Sequence, residues 1–387
     1  MNKTLIAMAV AGVMAAPMAA QADATVYGKI HVSIDSGDTG GQDYSSGSPA
    51  APGNEANKAS GLYFQSNSGR VGVKGSEDLG GGLKAIWQFE SNASFGSGST
   101  SFGGRNSWLG LSGGWGQVRA GKHDTPFKDV GRWFDLFGDQ VGDSRNIIQF
   151  IGGRVGQVTG ADSWDDRPDN VVAYITPTFG GGFSIAAAYV IDDATKDNNA
   201  LSVNAKWKSG NWLVGLGYET HDHADFVAGG LLVPASNSAT GMRAGVQWSP
   251  GAWKLNAFYQ DTSDNAGISG LDFGAMGVGA AYTMGKNVLK AQYYMTDVSI
   301  SGVSDADANT VAVGWDYNFS KRTTAYIAYA ATSNDAGAYN CVDAGGHGSE
   351  ICGQAGIAYN ITTDTLTGQV NPGDDPSVIS VGMIHKF

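Results

Sequence analysis

The chain has 387 residues, 58 of them glycine, with 42% hydrophobic and 16% charged side chains and a formal net charge of −12. That acidity argues against a nucleic-acid partner, while abundant glycine and recurring aromatic segments favour many strands and tight turns over disorder or a helical bundle. Mean hydropathy is slightly negative, which fits a soluble protein or a barrel whose strands show only every second side chain to lipid.

Residues 1–22 read as a cleaved signal peptide: a lone Lys3, an apolar stretch over 5–13, and Ala20-Gln21-Ala22 in the small-residue pattern of a cleavage site. The apolar run is shorter than the ~18 residues of a spanning helix. Residues 23–387 are then expected to form a single barrel domain.

The first strand, residues 24–33, sets Val26, Gly28, Ile30 and Val32 on one face and Tyr27, Lys29 and His31 on the other, a period of two. After a polar connection near 35–67, residues 69–76 place Val71 and Val73 outward and Arg70 and Lys74 inward. Asp78-Leu79-Gly80-Gly81-Gly82 turns the chain, and Leu83, Ala85, Trp87 and Phe89 restart the alternation. Further hairpins turn at Gly113-Gly114-Trp115-Gly116, Phe179-Gly180-Gly181, Ser209-Gly210-Asn211, Ser249-Pro250-Gly251, Gly285-Lys286-Asn287 and Phe319-Ser320-Lys321, and residues 378–387 make a last strand. Seven hairpins between two single strands give sixteen strands.

Short turns alternate with long polar connections near 91–104, 123–167, 191–200, 220–239, 261–271, 297–309 and 331–377, so both ends of the chain lie on one side. A soluble sandwich would also alternate, but its core has no place for lysines and arginines directed to a common interior. The fold expected is therefore all-β, a sixteen-stranded antiparallel transmembrane barrel, wide enough to leave an aqueous lumen. Trp87, Phe89, Trp207, Trp212, Tyr218, Trp248, Trp253, Tyr293, Trp315 and Tyr317 near strand ends fit aromatic girdles at the membrane interfaces.

Several stretches resemble the general-diffusion porins of Gram-negative bacteria, in the branch common among β-proteobacteria. They are GRVGVKGSEDLGGG from Gly69 running into LKAIWQFE, GQVRAGKHDTPF from Gly116, RPDNVVAYITPTFGGG from Arg167, and the ending GMIHKF. The resemblance implies a homotrimer in the outer membrane among lipid and lipopolysaccharide, a third loop (about 123–167) folded into the lumen as a constriction, and small hydrophilic solutes and ions as cargo. Phe387, closing an alternating strand, resembles the signal read by the barrel-assembly machinery.

In a pore the working residues are inward charges near the waist, where a low-dielectric wall strengthens their field. Parity offers Lys29, Arg70, Lys74 and Arg119 as a basic wall, with Lys206, Arg243, Lys254 and Lys290 from later strands. The loop carries Asp124, Asp129, Asp135, Asp139 and Asp143 beside Lys128, Arg132, Arg145 and Arg154, and its stretch from Arg145 to Ile151 is expected to pack on the wall. A basic wall facing an acid-rich loop predicts a transverse field and a mild anion preference. Each of these charges could also serve only to solvate loop and lumen.

Cys341 and Cys352 are read as a disulfide of an exported chain; a two-thiol metal site with His347 is the alternative, though the spacing matches no zinc pattern. His221-Asp222-His223 reads as a solvated loop, and no nucleophile motif accompanies it. No metal, cofactor or enzymatic activity is expected. A substrate-specific channel, or a barrel adhesin with binding loops, is the competing reading.

Overall fold

The computed structural model describes residues 23–38, 60–95, 103–149, 164–191, 199–222, 226–228, 231–233, 238–299, 307–335, 338, 359–360, 365–366 and 375–387. The signal-peptide reading of residues 1–22 and the Cys341–Cys352 pairing lie outside the described residues.

Alternation of apolar and polar side chains builds a closed antiparallel barrel of sixteen staves. β1 is Asp23–Asp38, and β2 has two segments, Ser60–Ser66 and Arg70–Gly80. β3 to β9 are Leu83–Asn92, Ser107–Gly113, Gly116–Lys122, Val171–Ile175, Phe183–Val190, Ala200–Ser209 and Trp212–His221. β10 to β16 are Ala239–Trp248, Trp253–Ser263, Asp272–Met284, Asn287–Ser299, Ala308–Asn318, Thr323–Asn334 and Ser377–Lys386. Each stave pairs with the next in sequence, and β16 pairs with both β15 and β1. The seam is sealed to its last residue: Gly28 and Phe387 exchange backbone hydrogen bonds of 3.0 and 3.1 Å.

The second stave departs from the sequence expectation. Residues 60–66 read as part of a polar connection, yet they pair with the outer half of β1, from Val32↔Ser66 to Asp38↔Ser60, while Arg70–Gly80 pairs with its inner half. Asn67-Ser68-Gly69 interrupts the stave, with Ser68 at φ 51°. That polar break, and a strand with few apolar residues besides Leu62, Tyr63 and Phe64, hide the continuity. Leu62 and Phe64 both point outward and are exposed.

The outer face is apolar and belted. Trp212 stacks on Trp248 at 5.7 Å and Trp253 meets Tyr282 at 4.6 Å, both beside short turns. Six residues along their strands from the short-turn end, Tyr189, Tyr218, Tyr259, Tyr293 and Tyr329 form a second exposed row on alternate staves from β7 to β15. The turns themselves need glycine: Gly80, Gly81 and Gly82 take φ of 84°, 61° and 80°. Unlike a soluble sandwich, the barrel has its buried apolar core inside the lumen, where the segment between β5 and β6 packs on the wall.

Candidate functional site

That segment turns inward directly after β5. Thr125 caps α1 (Pro126–Trp133), its hydroxyl accepting from the Lys128 amide at 3.2 Å. Pro126 takes the first turn, where a missing N–H costs nothing, and Asp129 and Arg132 oppose the partial charges of the two helix ends. α1 buries Phe127 and Val130, and the short α2 (Arg145–Ile148) buries Ile147 and Ile148, as expected for the stretch after Arg145. Each such side chain contributes roughly 1.5–3 kcal/mol when fully buried.

The wall receives them in a trough of inward-facing glycines on β9 and β10. A Cβ on Gly217 would come within 3.1 Å of Val130, one on Gly241 within 2.8 Å of Trp164, one on Gly215 within 2.8 Å of Trp133, and one on Gly245 would run into the Phe134 ring. Trp164, on the returning arm, stacks on His221 at 4.5 Å, and His221 lies 2.8 Å from Glu219.

Polar side chains then pin the loop backbone. Asn204 donates to the Pro126 carbonyl at 2.8 Å, Asn256 to the Phe134 carbonyl, and Lys290 to the Leu136 carbonyl at 3.1 Å. Arg243, fully buried, reaches the Phe127 carbonyl at 3.2 Å and Asp165 at 2.9 Å. Across the lumen Asp139 meets Lys29 at 2.6 Å, so the loop spans from β8–β15 to β1. Of the inward cations read from parity, Arg243, Lys290 and Lys29 are engaged in holding this loop. Lys206 lies over the Trp133 ring at 4.6 Å. Lys74 sits toward the short-turn mouth, opposite Thr25 and over Tyr27 at 5.3 Å.

A cavity of about 420 Å³ stays open between the loop and the opposite wall, bounded by Tyr27, Lys29, Arg70, Glu90, Arg105, Asn106, Asp124 and Arg132. Glu90 is engaged twice, by Arg105 at 2.5 Å and by the Tyr27 hydroxyl at 2.9 Å. Among the described residues the ion-pair approach of Arg70 is to Asp139 at 3.9 Å, and Arg132 is 39% exposed while reaching Asp124 at 3.1 Å. Arg119 lies over Trp108 at 4.2 Å and bonds Gln117 and His123.

The loop acids fall into two kinds. Burial alone would raise the Asp124 carboxyl, but Lys128, Arg167 and Arg132 at 2.9–3.1 Å outweigh it and hold it well below the usual carboxylate range. Burial likewise opposes ionisation of Asp139, and Lys29, Arg145 and Arg70 overcome it. Asp143 accepts from Arg145 at 2.6 Å. Asp129 is pushed up to about 7 by burial and by the neighbouring Asp124 charge. Asp135 is pushed up to about 7 by burial and by Asp143. Near neutral pH, then, the loop presents fewer negative charges than its composition suggests, while one carboxylate, Asp124, faces three cations.

Glu90, Arg105 and Asn106, which bound the cavity, and Arg167, which reaches Asp124 beside it, are not among the candidates drawn from alternation or the loop's charges. Glu90 follows outward Phe89 and was available from parity. Arg105 was not: Leu109 and Leu111 face outward, and alternation extended backward would set Arg105 on the lipid side.

A closed barrel with an apolar belted exterior and a polar lumen narrowed by an internal loop defines a transmembrane diffusion pore. A family model described as Gram-negative porin matches residues 6–337, and the chain belongs to that family. It is 28% identical over 405 residues to outer membrane porin protein 32 of Delftia acidovorans, with all of both chains covered. It is 28% identical to the major outer membrane protein P.IB of Neisseria meningitidis serogroup B, covering 84% of this chain and 92% of that one. Among solved structures it is similar to an anion-selective porin from Comamonas acidovorans, with TM-score 0.70, 22% identity and coverage of 95% and 100%. A Vibrio cholerae outer membrane protein in trimer form gives TM-score 0.61 and 18% identity, with coverage of 95% and 99%. The protein is a passive channel of the Gram-negative outer membrane.

Proposed function

We propose that the pore passes small hydrophilic solutes and ions without enzymatic chemistry and with a mild preference for anions, set by Arg70, Arg132 and Arg119 along the open side of the constriction. The supporting observation is the charge balance around Asp124: Lys128, Arg132 and Arg167 surround one carboxylate, and Arg70 and Arg105 line the same cavity. In a narrow lumen with low-dielectric walls this surplus favours anions. Lys29 and the loop acids Asp139 and Asp143, with Arg145, act as the scaffold of the constriction, and Lys74 as a mouth charge. The relative from Comamonas acidovorans bears the description anion-selective, which agrees with this reading. Reversal potentials in a salt gradient across planar bilayers test it: wild type shifts to the anion side, and Arg70→Ser with Arg132→Ser moves the potential toward zero. A clear cation preference of wild type overturns it.

The proposal extends to a homotrimer. The tyrosine row is absent from the described part of the outer face formed by β16 and β1–β5, where Val26, Ile34, Leu62, Phe64, Leu109 and Val381 present an apolar surface. A face without interfacial tyrosines suits contact with another subunit better than with headgroups, and the trimer form of the Vibrio cholerae protein fits this arrangement. The tyrosine-bearing sector then faces lipid and lipopolysaccharide. Phe387, 43% exposed at the seam, is positioned to serve as a handle for the assembly machinery. Bifunctional amine cross-linking in native membranes is expected to give trimers, reduced in Phe64→Asp with Leu109→Asp; exclusively monomeric wild-type products count against the arrangement.

A further inference from the structure

Beside the loop, at the seam where β16 closes on β1, the inner wall carries a second polar cluster that the passage does not use. His31, Ser33 and Asp35 project from β1, Asn67 from the break in β2, Tyr326 from β15 and Ser380 from β16, each at most 3% exposed. The strand registers bring them together: Asp35 is the cross-strand partner of Ser380, and Ser33 and Tyr326 are both partners of Gly382. Asn67 Nδ2 donates to Ser33 Oγ at 2.8 Å. The Tyr326 hydroxyl lies 2.9 Å from His31 Nε2, flanked by Ser380, Ser33 and Asn67. Phe137 and Val141 of the loop pack against the same stretch of wall.

Two observations mark this cluster as more than wall packing. Asp35 is a buried acid with no cationic partner among the described residues: Lys29, on the same face, is engaged by Asp139, and the polar neighbours of Asp35 are the Ser380 and Ser33 hydroxyls. A buried acid without a basic partner is satisfied by a proton or by a bound cation. The second observation separates those options. Asp35 Oδ1, Asn67 Oδ1 and Ser380 Oγ are all buried without a hydrogen-bond partner. A turned Ser380 hydroxyl can donate to the Asp35 carboxylate, but that leaves the acid's charge and the Asn67 Oδ1 acceptor unmet, whereas a cation is bound by several oxygens at once. His31 Nδ1, also unpartnered, carries the proton when Nε2 accepts from Tyr326, and stands outside this oxygen set.

We propose that Asp35, Asn67 and Ser380 bind a monovalent hard cation such as sodium at the barrel seam, with the Ser33 and Tyr326 hydroxyls completing an oxygen shell. Charge count selects the valence, because calcium sites draw on several carboxylates and this one has a single acid. The ion links β1, β2 and β16, the three staves on which closure of the barrel depends.

Crystals of the folded protein soaked in thallium(I) nitrate give a direct test. An anomalous peak bounded by Asp35, Asn67 and Ser380, absent in Asp35→Asn, is the expected result; ordered water alone at those oxygens overturns the proposal. Thermal unfolding in detergent, in sodium chloride against choline chloride at equal ionic strength, gives a second readout. The midpoint should be higher in sodium, with the half-saturating sodium concentration raised severalfold in Ser380→Ala, which keeps the charge and serves even where Asp35→Asn does not fold. Equal midpoints in the two salts, or an unchanged response in Ser380→Ala, overturn it.

Discussion

The two halves of the inner wall use the same residue types for opposite ends. On β8–β14, inward cations meet the loop at close range: Arg243 is paired with Asp165, and Lys290 is held between Gln140 at 2.7 Å and Asp316 at 3.0 Å. On β1–β5, Arg70 lines the open cavity at 3.9 Å from Asp139, and Arg119 is bonded to neutral Gln117 and His123 with no carboxylate within ion-pair distance among the described residues. Arg243 and Lys290 on the first sector act as fasteners, as Lys29 does on β1, while Arg70 on the second faces the open cavity. The glycine trough on β9 and β10 seats the first helix of the loop on one sector, and the cavity stays open beside β1–β3.

Removing a fastener tests this division most severely. Arg243→Ala removes the 2.9 Å partner of the buried Asp165 carboxylate, and loss of one partner of a buried pair costs about 3–5 kcal/mol. The expected outcome is a lower unfolding midpoint in detergent and faster proteolysis between β5 and β6. Filling the trough comes next: Gly245→Val drives a side chain into Phe134, at about 1–3 kcal/mol for overpacking. Single-channel recordings should show larger and noisier conductance as the loop lifts, and an unchanged trace would show that the trough does not seat it.

The pH response is smaller and is confined to the loop. Asp129 and Asp135 titrate near 7, so lowering the pH from 8 to 6 protonates both and makes the lumen more positive. Anion preference in reversal-potential measurements should rise over that interval, and Asp129→Asn should flatten the rise. The stability term has a definite sign. Carboxyls raised in the folded state bind protons that the unfolded chain has released, so their contribution is largest near the ordinary aspartate range and is lost as pH climbs through 7. The smallest effect is expected for Lys74→Ala: the side chain sits at a mouth where salt screens it within about 10 Å at 0.1 M, and selectivity should barely move.

Much of the fold was legible because a barrel strand shows its two faces in a period of two. Lys29, Arg70, Lys74 and Arg119 could be set inward from their neighbours alone, and the turns could be counted. The roles of those side chains were not legible. Nothing local distinguishes Lys29, engaged by Asp139, from Arg70, which is not closely engaged, because the partner comes from a loop distant in sequence. Asp35 is hard to see in the sequence because the polar Ser33, Asp35 and Ser36 blur the end of the first strand, though Ile34 continues the alternation and sets Asp35 inward. The raised acids of the loop are invisible in composition, since burial and like charge depend on how α1 and its neighbours pack.

The bonds between Gly28 and Phe387 carry a kinetic consequence. They join the two staves farthest apart in the chain, so the loop closed by this contact is nearly the whole protein, and contacts of such separation form late and slowly. Until they form, β1 and β16 each present an open edge, the kind of surface that recruits strands from other chains. The protein therefore gains its protection from aggregation only with the final pairing, and a substitution that slows that step, such as a bulky residue at Gly28 under the Phe387 ring, should lower yield more than it lowers the stability of the molecules that do close.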